Sequence, residues 1–505
     1  MKKVIYAMLL LAAAWPVQAR AQEDQTVTAG PEMFVFRRLV RETPQEKEKI
    51  LASARKVVGQ PGLGARMALF YHLQVAGALL DAGLYLEDAE RFARQGVALC
   101  DREKFIAASF EIFKTNGRPL PTEEFVANEF KTTKARLLSI LGRIEWKRGE
   151  LPAAEQTLKE AYALNPMEVA TAVALSDIAE RKRDSTAAFD YLVPAMLSAS
   201  VPKDVNERLM RLYKKMNGGQ DAGLEELLDK KYHDAFPFQV EAYQPPATRS
   251  NRMVLAELFS GSGCSPCVIV DLAYEGLLQR YRREDVAVLV YHLHRPLPDP
   301  MANPLTELRA GYYKVRGAPS VAFDGNFIGD SIGGAAWDRA VVRYREFTAQ
   351  IDRALTAPAG AELKLSATTE GSMVKVKVLV DKVQTASEDL RLHIVLAEDL
   401  LRYTGENGIR FHPMVVRSMS APDGTPVAAN RPTTLEHAFD VAKIAADLKS
   451  YLDEFEKNPP GEYKGEEVKF RRKMDAIDPK NLSVVAFVQD HKTKQVLQTA
   501  YIKVK

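Results

Sequence analysis

The sequence predicts a multidomain chain made of an α-helical solenoid, an α/β unit and a C-terminal β-sandwich. Three observations predict it. The 505 residues exceed what one hydrophobic core can hold, so about three domains of ordinary size are expected. From 33 to 232, apolar residues recur at helical spacing in a background rich in Ala, Leu, Lys and Glu. From 360 to 505, they alternate or run continuously over strand lengths.

The first residues, "MKKVIYAMLLLAAAWPVQARAQ", place two lysines ahead of an apolar run from Val4 to Trp15, and Ala19 and Ala21 then match an A-x-A cleavage pattern. Residues 1–21 therefore read as a signal peptide cleaved near Ala21/Gln22, with a periplasmic or secreted product. No cysteine stands at the cleavage point to carry a lipid, and no later stretch reaches membrane-spanning length without charges. The chain carries 69 Lys and Arg against 66 Asp and Glu; without Lys2, Lys3 and Arg20 the two signs balance. That balance argues against nucleic acid as a partner.

Within 33–232, "LLSILGRIEWKRGELPAAEQTLKEAYALNP" sets Leu138, Leu141, Gly142, Trp146, Gly149, Ala154, Leu158, Ala161 and Pro166 at the spacings of a tetratricopeptide (TPR) repeat. Gly142 and Ala154 permit close helix approach, Gly149 suits the turn, and Pro166 ends the second helix. One period on, Ala172, Leu175, Ala188, Leu192 and Ala195 give a weaker copy. An earlier copy keeps Gly83, Ala89 and Gly96 with a one-residue slip. A generic helical bundle is the alternative. A TPR-like domain would offer its surface to a protein partner.

Residues 233–251, rich in Gly, Pro and polar side chains, read as a linker. In 252–355, "MVLAELF" is a strand, "CSPC" a turn, and Val270, Tyr274, Leu277, Leu278 and Tyr281 form a helical stripe. "VAVLVYHLH" reads as a strand covered on both faces. "PSVAF" and "NFIGD" flank the hairpin pair Asp324-Gly325, and a helix from about 335 to 355 closes the unit. From 360, "AELKLSATT", "MVKVKVLV", "LRLHIVLAED", "NLSVVAFVQD" and "VLQTAYIKV" are the strands of the sandwich, with a helical insertion around "TLEHAFDVAKIAADLKSYLDEFEKN".

Two of the three cysteines, Cys264 and Cys267, stand two residues apart where the first helix of the α/β unit begins. An exported chain with so few cysteines has no disulfide framework, so a close pair points to chemistry. A cysteine at a helix N-terminus faces unpaired N–H groups and the positive end of the dipole, which stabilises its thiolate. Cys264 is thus expected as the exposed nucleophile and Cys267 as the resolving thiol, with Pro266 suited to the first helical turn.

With Cys-x-x-Cys at the first helix and a proline before the third strand, "ELFSGSGCSPCVIVD…YHLHRPLPDPMANPLTELRAGYYKVRGAPSVAFDG" resembles exported bacterial thioredoxin-like proteins over about a hundred residues. The resemblance implies a thioredoxin-like fold and thiol–disulfide exchange on protein thiol or disulfide substrates, without a bound cofactor. It implies that Pro319 is the cis-proline, which turns the Ala318 backbone toward substrate. Glu257, on the strand entering the site, corresponds to the acid that accepts the proton of Cys267; the alternative is an exposed edge carboxylate. The segment "RPLPDPMANPLTELRAGYY" is expected as a rigid loop shaping access.

A reductant in that compartment would draw on a membrane electron donor, and an oxidant on an acceptor, neither of which the chain supplies. His292 and His294 share a strand face, and two Cys with two His could hold a metal; hydrogen-bonded or solvated histidines are the expectation, with no metal assigned. Val268 stands where covalent haem attachment would need a histidine. Cys100 reads as a small buried side chain, and His393 and His412 as structural or solvated. The competing function is a periplasmic TPR scaffold whose thioredoxin-like domain is redox-inactive.

Overall fold

The computed structural model describes residues 30–117, 120–329, 332–429 and 431–504. The expected signal peptide, 1–21, lies outside them. Among the described residues no helix is long and apolar enough to cross a membrane.

The N-terminal domain is helical: α1 (Pro31–Glu42), α2 (Lys47–Val58), α3 (Ala65–Ala82), α4 (Leu86–Ala98), α5 (Arg102–Thr115), α6 (Glu123–Lys147), α7 (Leu151–Leu164), α8 (Val169–Arg181), α9 (Ser185–Ala195), α10 (Lys203–Met216) and α11 (Leu224–Asp234). The spacings read from sequence fall on successive helix pairs, α3 with α4, α6 with α7 and α8 with α9. Leu138, Leu141, Ala154, Leu158 and Ala161 are buried, as are Ala172, Leu175, Ala188, Leu192 and Ala195. Helices α6 and α7 approach so closely that a Cβ on Gly142 would stand 2.6 Å from Leu158 Cγ. The strict period is broken by α5, which lies between the first and second pairs, and by the 25-residue length of α6. Cys100, just after α4, is half-buried with its Sγ 3.6 Å from Gly96 O, and burial pushes its thiol up to about 11.

The linker is laid against the next unit: Phe238 stacks on Tyr344, and Tyr243 N donates to Arg280 O. Beyond it come β1 (Val254–Ser260), α12 (Val268–Arg280), β2 (Val286–His292), α13 (Pro304–Tyr313), β3 (Ser320–Phe323), β4 (Asn326–Ile328) and α14 (Ala340–Thr356). The rest comprises β5 (Glu362–Glu370), β6 (Met373–Asp381), β7 (Leu390–Arg402), β8 (Phe411–Met419), β9 (Thr425–Pro426), β10 (Thr433–Asp440), α15 (Val441–Lys457), β11 (Leu482–Asp490) and β12 (Val496–Lys503).

Strands from both halves form one mixed sheet in the order β12-β11-β7-β8-β2-β1-β3-β4, with β9 beside β7. β1 pairs parallel to β2 and antiparallel to β3, and β3 antiparallel to β4. The junction is β2 with β8, parallel at Val290 and Val415. This corrects the expectation of a self-contained C-terminal sandwich: β7, β8, β11 and β12 extend the central sheet. A second sheet, β10-β6-β5, packs Val374, Val376 and Val378 against Leu392, Ile394 and Val484 of the first. The opposite faces of β7 and β11 present Val395 and Phe487 to the core shared with β1 and α12.

Two elements differ from expectation. The segment after His292 is not all loop, because Asn303 caps α13 through Leu305 N and Thr306 N with Pro304 in the first turn. In the expected helical insertion, residues 433–440 form β10, since Thr433, Leu435 and His437 alternate with exposed neighbours, and the helix starts only after the Asp440 cap.

Candidate redox site

The site forms where β1 ends. After Ser260 the chain turns through 261–263 to Cys264, which precedes a 3₁₀ turn, Ser265–Cys267, that runs on into α12. Cys264 and Cys267 are joined as a disulfide, Sγ–Sγ 2.05 Å. The Ala318–Pro319 peptide is cis, and Cys264 Sγ lies 3.5 Å from Ala318 O. The fold therefore brings Cys264, Cys267, Ala318 and Pro319 together from segments fifty residues apart in sequence.

Glu257 is turned away from them. Side chains alternate along a strand, and Ser260 Oγ donates to Asp271 Oδ1 on α12 at 2.8 Å, so Glu257, three residues earlier, faces the opposite layer. There its carboxylate accepts from Arg309 Nε at 2.8 Å, Arg309 Nη2 at 3.0 Å and Tyr313 OH at 2.8 Å, all on α13. Gln489 of β11 accepts from Arg309 Nη1 at 2.9 Å. The carboxylate is neither at an exposed edge nor on the cysteine side of the sheet: it is half of a buried ion pair.

On the cysteine side stands Asp271, one helical turn beyond Cys267, with its carboxyl enclosed. Burial of the carboxyl pushes it up to about 7, against the smaller opposing effects of the Ser260 hydrogen bond and His292. A turn further, burial lifts Glu275 to about 6, and it accepts from Tyr232 OH at 3.2 Å. Sequence reading passed over Asp271, although Cys-x-x-Cys-x-x-x-Asp on a helix places it beneath the second cysteine.

His292 and His294 meet around Asp299 rather than around the thiols. His292 Nδ1 donates to Asp299 Oδ2 at 3.0 Å, and Asp299 N donates to His294 Nδ1 at 2.9 Å. Asp299 also accepts from Ser262 N at 2.5 Å and Met301 N at 2.7 Å. Burial works against its charge, but His292 and these donors hold the carboxyl well below the usual carboxylate range. His294 also bonds Tyr451 OH at 3.1 Å and stacks on Phe455, and burial lowers it to about 4. His412, buried and donating to Tyr403 O at 2.9 Å, is lowered to about 3, first by burial and then by His292. His393 is buried with its Nε2 2.9 Å from His491 Nε2. Among the described residues no three His, Cys, Asp or Glu side chains gather as a metal site.

The expectation of an exposed Cys264 is corrected: both cysteines are 0% exposed. Leu297, from the loop after β2, lies against Gly263 so closely that a Cβ there would stand 2.8 Å from Leu297 Cβ. From the β7–β8 loop, Asn407 Nδ2 donates to Gly261 O and Cys264 O, both at 3.3 Å, and Asn407 N donates to Ser262 O at 3.0 Å. That loop in turn meets the helical domain, where Ser200 N donates to Glu406 O at 2.6 Å. No local pattern signals Asn407, because its partners are more than a hundred residues away.

No protein-family model matches the chain. No curated protein matches it either. Among solved structures, HBP35 of Porphyromonas gingivalis aligns at 16% identity over 52% of this chain and 77% of that chain, with a TM-score of 0.35. The APC/C hetero-tetramer Cut9-Hcn1 aligns at 18% identity over 39% of this chain and 42% of that chain, with a TM-score of 0.18. Likenesses at these scores fix neither fold nor function.

Proposed function

We propose that this chain is an exported thiol–disulfide oxidoreductase that acts on protein substrates through Cys264 and Cys267, with a thioredoxin-like unit at 252–355 and a TPR-like helical domain that receives a protein partner. The observation that carries the reading is the Cys264–Cys267 disulfide at the N-terminus of α12 with Ala318 O 3.5 Å from Cys264 Sγ. The strand order β2-β1-β3-β4, with the Cys-bearing helix after β1, is the arrangement expected of a thioredoxin-type fold.

In the reducing direction the Cys264 thiolate attacks one sulfur of a substrate disulfide and expels the other as thiolate. The mixed disulfide lies beside Ala318 and Pro319. Cys267 then loses its proton and attacks Cys264 Sγ, releasing the second substrate thiol; two electrons pass from the pair to the substrate. Oxidation of a substrate is the same sequence reversed. The electron donor or acceptor comes from outside the chain.

A second reading is favoured by the 0% exposure of both cysteines: a scaffold in which the disulfide is a closed structural staple. Glutathione titration with thiol trapping on the mature protein separates the two. A pair that equilibrates at a measurable reduction potential, with exchange lost in Cys264→Ser, supports the oxidoreductase. A pair that stays oxidised in every native buffer, or exchange that survives Cys264→Ser, leaves the scaffold.

A further inference from the structure

Thiol–disulfide exchange through this pair moves a proton as well as electrons. Cys267 must lose a proton to attack Cys264 and regain one when the pair is reduced, yet it is fully enclosed. A group on the cysteine side of the sheet has to exchange that proton. Glu257 faces the other layer and is held by Arg309 and Tyr313. Asp299 is fixed as an ion by His292 Nδ1, Ser262 N and Met301 N.

Asp271 is different. It lies four residues after Cys267, on the same helix face, and its carboxyl is bonded at 2.8 Å to Ser260, the last residue of β1 before the cysteine turn. No ion pair to it occurs among the described residues. Its hydrogen-bond partner is the Ser260 hydroxyl, which can donate to a carboxylate and accept from a carboxylic acid, so the contact survives in either protonation state.

We propose that Asp271 is the proton-transfer partner of Cys267. As Cys267 Sγ bonds to Cys264 Sγ, the bond from Cys264 Sγ to the substrate sulfur breaks, the substrate leaves as thiolate, and the Cys267 proton passes to the Asp271 carboxylate. When a substrate thiolate attacks Cys264 Sγ and breaks the Cys264–Cys267 bond, the carboxylic acid returns the proton to the departing Cys267 thiolate. The electrons stay with the sulfurs, so the step balances without any further reactant. The proposal rests on the oxidoreductase reading above.

The groups around Asp271 tune it for this work. Ser260 faces it from β1, His292 from β2, Asp299 from the following loop and Tyr232 from α11. Glu275 stands one turn on along its own helix, where two carboxylates disfavour each other's charge. With Asp271 at about 7, its carboxyl accepts and releases protons near neutrality.

The test follows the mixed disulfide formed when the reduced full-length protein reacts with oxidised glutathione, quenched by acid and resolved by mass, across a pH series. In the unmodified protein the resolution rate climbs through about pH 7. In Asp271→Asn, which keeps the side-chain shape, resolution slows at least about tenfold near neutrality and rises only with an ordinary thiol, around pH 8.5. Ser260→Ala, which removes the hydrogen bond that favours the ion, moves the limb to higher pH. Equal rates and equal profiles in Asp271→Asn, or an unmoved limb in Ser260→Ala if the first variant fails to fold, overturn the proposal. An unmodified protein that forms no mixed disulfide overturns the oxidoreductase reading itself, and this proposal with it.

Discussion

The side-chain amide of Asn407 donates to the backbone oxygen of Cys264 across 143 residues of chain, so the loop between β7 and β8 holds the cysteine turn from outside its own unit. The same amide reaches Gly261 O, and the Asn407 backbone N–H reaches Ser262 O. Asn407→Ala keeps the backbone bond and loses three side-chain bonds, those to Gly261 O and Cys264 O and the one its Oδ1 accepts from Ile409 N, each worth about 0.5–1.5 kcal/mol. The expected outcome is a urea midpoint lowered by the equivalent of roughly 1.5–4.5 kcal/mol. Reduction of the disulfide by dithiothreitol should also be severalfold faster. A lowered midpoint with an unchanged reduction rate would show that the loop stabilises the turn without covering it.

Glu257 and Arg309 give a contrasting expectation. Both are buried, and each satisfies the other's charge, with Tyr313 and Gln489 completing the set. Glu257→Gln leaves the guanidinium enclosed without its counter-ion, a change that costs about 3–5 kcal/mol. Adding Arg309→Met to it recovers part of that loss, which a double-mutant cycle in urea measures. Because the pair lies on the far side of β1 from the disulfide, Glu257→Gln should leave the pH profile of exchange in place. A profile that moves would restore Glu257 as a proton carrier.

These residues also show what the sequence could and could not reveal. The cysteines and Pro319 were legible because a short motif and a strand-start proline are local signals, and the helix pairs were legible because buried Ala and Leu recur at fixed spacing. β8 was missed: Pro413 and the buried Arg417, which pairs with Glu398 at 3.0 Å, interrupt the apolar pattern of a strand in the middle of a sheet. That omission hid the junction through which the two halves share one sheet. The partner of Glu257 lies 52 residues on, and those of Asn407 still further, so no window of sequence could assign their roles.

Acid should destabilise the protein through its enclosed histidines. His294, at about 4, and His412, at about 3, have folded-state values depressed below the ordinary 6.5, so the native protein keeps them neutral while the unfolded chain binds protons. Their stabilising effect is whole above about pH 6.5 and is lost as pH falls toward about 4 and below. Asp271 and Glu275 act in the opposite sense, since raised carboxyl values favour the native state as pH falls from about 7 toward the ordinary carboxylate range. From about pH 6 to 4.5 the two histidines and the two carboxyls offset one another, so thermal midpoints should change little there and fall below about 4, where the carboxyls are protonated in both states and His412 still is not in the native one. His412→Gln, which can still donate to Tyr403 O, should flatten the acid side. A slope unchanged by this variant would mean that His412 does not set it.

Arg410 ties the helical domain to the same region. Its side chain is 2% exposed, and its charge is met by Asp229 at 2.7 Å and Glu225 at 2.5 Å, both on α11. Arg402 adds a second, more exposed cation to the same two carboxylates. Replacing Glu225 and Asp229 together by Ala strands an enclosed guanidinium, at a cost of about 3–5 kcal/mol. The loss falls on the contact between α11 and the strands that flank the Asn407 loop, and Ser200 N bonded to Glu406 O is then a main hold of the helical domain on that loop. The double variant should unfold in two thermal steps instead of one, and its disulfide should be reduced faster, in the same direction as Asn407→Ala. Faster reduction would mean that the contact between α11 and these strands governs access to Cys264. Two thermal steps with an unaltered reduction rate would confine the role of Arg410 to holding the domains together.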